Sequence, residues 1–377
     1  MDKIKLGDLC NPSQGQIKEQ SDTIIDYIDI SSVDNESKMV SGYQTMAFAE
    51  APSRARKVVK KGNILVSTVR PNLNAVAVLN EETPNITVAS TGFCILDCKE
   101  NVDNRFVFNF CKSKAFIDEM TSQATGASYP AVSDKIVKAA LIPAYSYAEQ
   151  KRIGETLDKV SGLLNKRKHE LAKLDALIKA RFVEMSKKWN MDEMPLTYYM
   201  DDITYGFTNP MPDSEKGPWK ITAKDVVGGK INFETARKTT QEAYDSLTAK
   251  SKPIIGDVLL TKDGTLGRTA IVEAENICVN QSVAVLRCND KVLPRFLTLL
   301  LQLPEYQSEM TKNSGGGTIK HIYITKVDKM IVKIPEIECQ KEYIDFVEQV
   351  DKSKVAIQKA LDEARVLFDS LMQQYFG

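Results

Sequence analysis

Between Ser146 and Lys188, apolar residues return at Ile153, Leu157, Val160, Leu164, Leu171, Leu174 and Ile178. The steps alternate between four and three, apart from the place held by Arg167. That is the ~3.5-residue period of a coiled-coil seam. Ser146 with Glu149 three places later forms a capping box that marks the helix start. Pro195, beyond Lys188, fits a stop. Adding 190 to each seam position gives a second such helix: Tyr343, Val347, Val350, Lys354, Ile357, Leu361, Ala364, Phe368 and Leu371. The polar places do not coincide, because Arg167 is matched by Ile357 and Lys354 by Leu164. Each seam is marginal alone, so the pattern predicts that the two helices pair with each other. The alternative is two ordinary core helices, but segments of about 40 residues far exceed the usual length of roughly 11–12.

The repeat extends beyond the helices. At the same offset of 190, Leu6 matches Leu196, Arg105-Phe106 matches Arg295-Phe296, Gly126 matches Gly316, and Gln150-Lys151 matches Gln340-Lys341. Lys60–Thr68 corresponds to Ile254–Lys262 after a four-residue gap. The chain thus reads as an ordered duplication, with a globular half of 1–145, a helix of 146–190, a second half of 191–335 and a second helix of 336–377. Short apolar alternations bounded by Gly, Pro and Asn predict strands near Tyr27–Ile30, Asn63–Val69, Ala75–Leu79 and Thr91–Leu96. In the second half they fall near Trp219–Thr222, Gly256–Thr261, Thr269–Val272 and Ser282–Leu286, with a last strand over Val327–Pro335. Helices are predicted over Asp103–Ser122 and over Leu293–Lys312, the latter broken or kinked at Pro304. The expected fold class is α/β: two similar mixed α/β domains joined by two long antiparallel coiled-coil helices in a pseudo-two-fold duplication.

Composition narrows the chemistry. An apolar content of 43% with 27% charged residues describes a soluble globular chain. No apolar run is long enough to span a membrane, and no signal peptide is evident. Seven scattered cysteines without a CxxC pair, and two histidines, argue against a disulfide framework or a zinc site and point to a reducing cytoplasm. Walker A, nucleophile-elbow and methyltransferase motifs are absent; Asn209-Pro210-Met211-Pro212 fails the aromatic tetrapeptide at its third and fourth places. The chain reads as a binder without catalytic residues of its own. A net charge of zero announces no nucleic-acid partner, so such binding must come from local patches or be shared with another chain. A helix of about 37 residues rises roughly 55 Å. Two heads on such a stalk could reach adjacent major grooves, which lie about 34–36 Å apart along one duplex face.

At this point the pattern resembles the specificity subunit of Type I restriction-modification systems. The resemblance rests on Ala51–Asn72 and its counterpart Ile254–Gly267, on the loops Thr125–Ser133 and Ser314–Ile322, and on the helix starts near Ile142–Ile153 and Ile334–Ile344. It implies that each half is a target recognition domain reading one part of a bipartite sequence in double-stranded DNA. The helices would act as spacer and as dock for two modification subunits. Those partners would bind S-adenosylmethionine and methylate adenine, and restriction subunits would join them; the chain itself would bind no cofactor and no metal. The alternative function is a coiled-coil protein-interaction scaffold without DNA specificity.

Candidate contacts follow, each beside a plainer reading. Arg54, Arg56, Lys57, Lys60 and Lys61 form a basic run before a strand, either a solvated loop or phosphate contacts with one arginine reading guanine. Arg70 and Asn72, and in the second half Lys262 and Asp263, sit at turns after strands, where side chains are displayed by a rigid sheet. Ser128 and Tyr129, with Gly126, and Thr318, Lys320 and His321, with Gly316, occupy equivalent loops that either approach phosphate closely or simply connect. Gly154 and Gly162 lie inside a helix, where each costs about 1 kcal/mol relative to Ala. Close contact with a partner would explain them, and Gln150 and Gln340 at equivalent places join them as candidate partner contacts.

Overall fold

The computed structural model describes residues 2–12, 15–17, 23–312 and 321–377. Two compact units are found, one of Met1–Leu171 with Ala356–Gly377 and one of Ala172–Val355.

In the first unit, five strands lie in the order Phe93–Leu96, Ile64–Ser67, Val76–Val78, Met39–Val40 and Val33–Asp34. Four more lie in the order Gln44–Ala47, Ile24–Ile28, Ile86–Ser90 and Ala55–Val58. Ile24–Ile28 runs parallel to Ile86–Ser90, whereas Ile64–Ser67 is flanked by antiparallel neighbours. The second unit repeats this plan. Met200–Tyr205, Val283–Cys288, Val258–Thr261 and Thr269–Ile271 form one sheet, and Ser214–Ile221 pairs in parallel with Ile277–Val279. The offset of 190 is visible in the register: Lys3–Lys5 pairs with Leu141–Pro143, and Glu193–Pro195 pairs with Ile331–Lys333.

The long helices are Tyr147–Ser186 and Ile337–Phe376, of 40 residues each. The start of the first is closed as expected: Ser146 N and Oγ both donate to the Glu149 carboxylate, at 2.9 and 2.7 Å. Seam residues on both helices are buried or half-buried, and most of the positions between them are exposed. In the first unit, Ile153 and Leu157 share a core with Met372 and Phe376, the latter ring 5.3 Å from Phe106. In the second, Phe182 and Met185 share a core with Tyr343 and Val347, with Phe182 and Tyr343 rings 5.3 Å apart. Within each unit the start of one helix therefore meets the end of the other, which is the antiparallel arrangement. The polar seam place at Lys354 is held by Asp175 of the facing helix at 2.5 Å, and that at Arg167 by Glu170 at 2.7 Å.

Local chemistry corrects the predicted elements Asp103–Ser122 and Val327–Pro335 and bears out the expected break at Pro304. Asp103–Ser122 is two helices, Asn104–Cys111 and Lys114–Ser122, because Ser113 turns the chain and accepts Phe116 N at 3.2 Å as a fresh N-cap. Pro304 opens the second of the corresponding pair, Pro294–Leu301 and Pro304–Lys312, where its missing N–H is no loss. The last run of the second half is a short helix, Ile324–Lys329, followed by the strand Ile331–Lys333. The strand Met200–Tyr205 carries no apolar alternation of its own, since Asp201 and Asp202 interrupt it. It is held by pairing along Val283–Cys288.

Candidate nucleic-acid interface

Four segments far apart in the first unit are stitched together by backbone hydrogen bonds. Thr91 N donates to Arg54 O at 2.8 Å, and Thr68 N to Gly92 O at 2.8 Å. Val132 N donates to Thr68 O at 2.9 Å, and Arg70 N to Pro130 O at 2.7 Å. The loop 125–131 is closed by a mutual pair between Thr125 and Ala131, at 3.0 and 2.9 Å. Gly126 takes a φ of +108° there, and a Cβ on it would lie 2.9 Å from Tyr129 O, so the tight loop requires glycine. Ser128 is exposed and Tyr129 is 68% exposed. The Arg70 guanidinium lies over the Tyr129 ring, 4.6 Å from its centroid, a contact worth about 0.5–1 kcal/mol at an exposed site. Arg70 and Asn74 are both left-handed, each with φ of +48°, and the buried Asn74 amide donates to Cys111 O at 2.8 Å. That pins the turn displaying Asn72, which is itself exposed.

The second unit builds the same frame. Lys262 N donates to Ser282 O at 2.9 Å, and Ile322 N to Lys262 O at 2.8 Å. These repeat the Thr68–Gly92 and Val132–Thr68 bonds, with Val69 bridged to Ala131 and Asp263 to His321. The side chains on the frame differ. Asp263 Oδ1 hydrogen-bonds His321 Nδ1 at 2.6 Å, and its other oxygen pairs with Lys262 Nζ at 3.1 Å. Thr318, Lys320 and Gly316 lie outside the described residues. Tyr205, which no apolar alternation in the sequence singles out, is 50% exposed and lies under Lys262 Nζ, 5.6 Å from the ring centroid. Tyr205 plays toward Lys262 the part Tyr129 plays toward Arg70. The available signal was Tyr205-Gly206-Phe207: a Cβ on Gly206 would fall 1.8 Å from Val279 O, so only glycine lets this segment lie against the sheet.

The basic run is less uniform than its composition implies. Only Arg56 and Lys57 lie on the strand Ala55–Val58; Arg54 precedes it, and Lys60 and Lys61 follow it. Lys57 is turned inward, donating to Phe93 O and Asp134 Oδ2, both at 2.6 Å. Lys60 pairs with Asp97 at 3.2 Å. Arg56 stacks on Phe48, 5.0 Å from the centroid. Arg54 is exposed and meets Asp29 at 2.6 Å, a surface pair worth at most about 1 kcal/mol and open to exchange for another anion.

Three of the four candidate partner contacts are committed internally. Gln150 accepts Asp103 N at 3.2 Å and donates to Tyr145 O at 2.9 Å. Gln340 accepts Leu293 N at 2.8 Å and donates to Pro335 O at 2.7 Å and Lys291 O at 2.9 Å. Both are buried, and the partners again differ by 190, so these glutamines tie each long helix to its own globular half instead of facing outward. A Cβ on Gly154 would lie 3.0 Å from both Arg105 Cβ and Asp103 Oδ1; this glycine admits the neighbouring helix of its own unit. Gly162 is exposed with open space around it, and nothing in the unit accounts for it.

Reactive chemistry is muted. Burial pushes the Cys94 and Cys288 thiols up to about 12 and Cys278 to about 11, the opposite of an activated nucleophile. Among the described residues no cluster of His, Cys, Asp and Glu could hold a metal ion, and no helix is long and apolar enough to cross a membrane.

Comparison with known proteins matches residues 1–174 and 211–364 to the Type I restriction modification DNA specificity domain. The EcoBI specificity subunit of Escherichia coli is 24% identical over 315 residues, covering 74% of this chain and 66% of that protein. The EcoKI specificity subunit of E. coli strain K12 is 21% identical over 310 residues, again 74% of this chain and 66% of the relative. The aligned chain thus spans just under two thirds of their length. A chain from a solved type I R-M system, described for its complex assembly and conformational transition, superposes with a TM-score of 0.62 at 21% identity, covering 100% of this chain and 97% of that one. The S subunit from M. genitalium gives 0.55 at 15%, covering 100% and 96%. These two likenesses establish the fold.

Proposed function

Since the chain belongs to the family of Type I restriction modification DNA specificity domains, we propose that it is a DNA-recognition subunit whose two globular halves each read one part of a bipartite duplex target. The observation that carries this reading is the repeated turn frame. Thr68 and Lys262 make the same backbone bonds, as do Val132 and Ile322, yet the side chains presented around them are unlike. A constant frame with changed display is what two readers of different short sequences require, because bases are distinguished by side chains and not by backbone.

In this reading Arg70, Asn72, Ser128 and Tyr129 contact one half-site, and Lys262, Asp263, His321, Thr318 and Lys320 the other. Arg54 and Arg56 supply phosphate contacts. The paired helices keep the spacing, since packed helices are stiff where a Gly/Ser linker would not be. The chain catalyses nothing and binds no cofactor. Two modification subunits dock on it, carry S-adenosylmethionine and methylate the target, and restriction subunits complete the assembly in the cytoplasm. The zero net charge agrees with partners that provide much of the phosphate attraction. The family assignment stands against a scaffold that merely binds proteins.

The test is duplex binding by the chain assembled with its modification subunits. Affinity for a duplex carrying the target should fall steeply with rising salt and exceed that for a scrambled duplex at every salt concentration. Equal binding to both duplexes would return the reading to the scaffold.

A further inference from the structure

A cavity of about 660 Å³ opens in the first unit between the tight turn at Glu36–Met39, the helix Asn104–Cys111 and the two long helices. Lys38, Arg105, Lys112, Lys168 and Arg365 line it, against only Glu36 and Asp158. Two of the five cations are already engaged: Lys168 meets Glu36 at 2.6 Å, and Arg105 meets Asp103 at 2.5 Å and Asp158 at 4.0 Å. Three make no ion pair among the described residues, although Asp158 lies near enough to Lys112 and Asp34 to Lys38 to favour their charged forms. Lys38 Nζ donates to Asn74 O at 2.5 Å. Lys112 Nζ rests over the Phe108 and Phe368 rings, 4.3 and 5.6 Å from their centroids, with no hydrogen bond or ion pair among the described residues. Arg365 likewise has neither among the described residues.

The second unit supplies the contrast. Its corresponding cavity, of about 590 Å³, holds Gln302 where the first has Lys112. The Gln302 amide donates to Gly267 O at 2.9 Å and to Thr269 Oγ1 at 3.2 Å. Lys354 and Arg295, which also line it, are each held by a carboxylate, at 2.5 and 2.8 Å. In the second cavity Lys179 and Arg268 lack a carboxylate partner among the described residues, and in the first the three that lack one are Lys38, Lys112 and Arg365, so the two differ chiefly in the lysine that stands in place of Gln302. Burial drives the Lys112 ammonium down to about 8, and the nearby Asp158 carboxylate offsets this only in part.

We propose that the cavity of the first unit binds a phosphate group on Lys38, Lys112 and Arg365, presented by a small phosphorylated molecule or by a nucleic-acid backbone. Three cations suit a dianion better than a single carboxylate, and the fork of arginine beside two ammonium groups is a common way of holding phosphate. The volume falls in the range of small-molecule sites, about 300–1,000 Å³, so the group carrying the phosphate has room. Lys38 joins this cavity to the back of the Arg70–Asn74 turn through Asn74 O, so the proposal is tested with ligands that carry no target sequence.

The experiment titrates the full chain with pyrophosphate, and separately with a short duplex of random sequence, at matched ionic strength. Lys112→Gln, which copies the residue of the second unit, and Arg365→Gln, at an exposed position that leaves folding intact, are the variants. Gln302→Ala is the control. One equivalent of pyrophosphate binding, weakened at least tenfold by both variants and not by the control, supports a small phosphorylated ligand. Failure of pyrophosphate, with duplex affinity weakened similarly for all sequences by both variants, supports the backbone as the source. Affinities for both probes that neither variant changes would overturn the proposal. So would variants that lose only the modification subunit, which would reassign the cavity to an acidic protein side chain.

Discussion

The Arg70 guanidinium covers one face of Tyr129 at 4.6 Å, while the Arg70 amide donates to the carbonyl of the neighbouring Pro130 at 2.7 Å. Residues 59 apart in sequence thus form a single rigid projection, with a charged fork and a ring edge presented together. A fork held in this way loses little further freedom on meeting a base edge or phosphate, so its contact free energy is less eroded by ordering. Arg70→Ala and Tyr129→Ala should each weaken target methylation by the assembled complex by about 1–3 kcal/mol, or roughly 5- to 150-fold. Thermal stability should change by no more than about 1 kcal/mol, since both side chains are exposed. Methylation rates on duplexes altered in one half-site or the other check this. The variants should relax discrimination at one half-site only.

Gln150→Leu and Gln340→Leu should instead lower stability. Each substitution leaves a backbone N–H and at least one carbonyl without its partner, one of the two buried and the other half-buried, at a cost of about 1–3 kcal/mol. Thermal denaturation of the chain alone reads the loss. Gln340, which makes three bonds to the two of Gln150, should show the larger effect.

Two glycines should respond in opposite ways. Gly206→Ala forces a Cβ to within 1.8 Å of Val279 O, so the strand or the turn beside it must shift, and soluble yield and melting temperature should both drop. Gly162→Ala meets nothing within 4 Å and should stabilise the chain by up to about 1 kcal/mol. Pull-down of the modification subunit by Gly162→Ala then tells whether the open surface is needed: reduced capture assigns Gly162 to that contact, and unchanged capture removes it.

Lys112 gives a pH dependence with a definite sign. Its folded value of about 8 lies below its usual 10.5, so below pH 8 the folded state carries a desolvated cation that the unfolded state solvates freely. That penalty is fully present at pH 7 and is relieved as pH rises from about 8 toward 10.5, where the unfolded lysine also becomes neutral. Lys112→Met should therefore be more stable than the parent chain at pH 7, and the gap should narrow across that window. Urea midpoints of both proteins at pH 7, 8, 9 and 10 measure it, and a gap independent of pH would remove Lys112 as the cause.

Much of this architecture was written in local patterns. The seam from Ile153 to Ile178, the capping box at Ser146 and the offset of 190 are properties of neighbouring side chains or of repeated order, and they led directly to two paired helices with two similar heads. What escaped the sequence was set by distant contacts. Ser113 reads as an ordinary helix residue until its hydroxyl is seen to accept Phe116 N. Gln150 and Gln340 look like surface residues at a helix start, and only the facing carbonyls reveal them as internal ties. Lys57 counts as positive charge in a run, yet Asp134, 77 positions later, draws it inward. Tyr205 was overlooked because its relation to Lys262 arises from sheet pairing and not from spacing. The turns at Arg70 and Lys262 were found because glycine and asparagine mark turns wherever they occur, whereas the stacking of Arg70 on Tyr129 depends on the fold.

The central claim is that two fixed heads read two half-sites at one set separation. The measurement that bears on it most directly is methylation by the assembled complex of duplexes whose central spacer carries one inserted base pair. One added pair moves the second half-site by about 3.4 Å and turns it by roughly a tenth of a helical turn. The account predicts that methylation of the lengthened duplex collapses while the native spacing is modified normally. Equal methylation of both duplexes would contradict it.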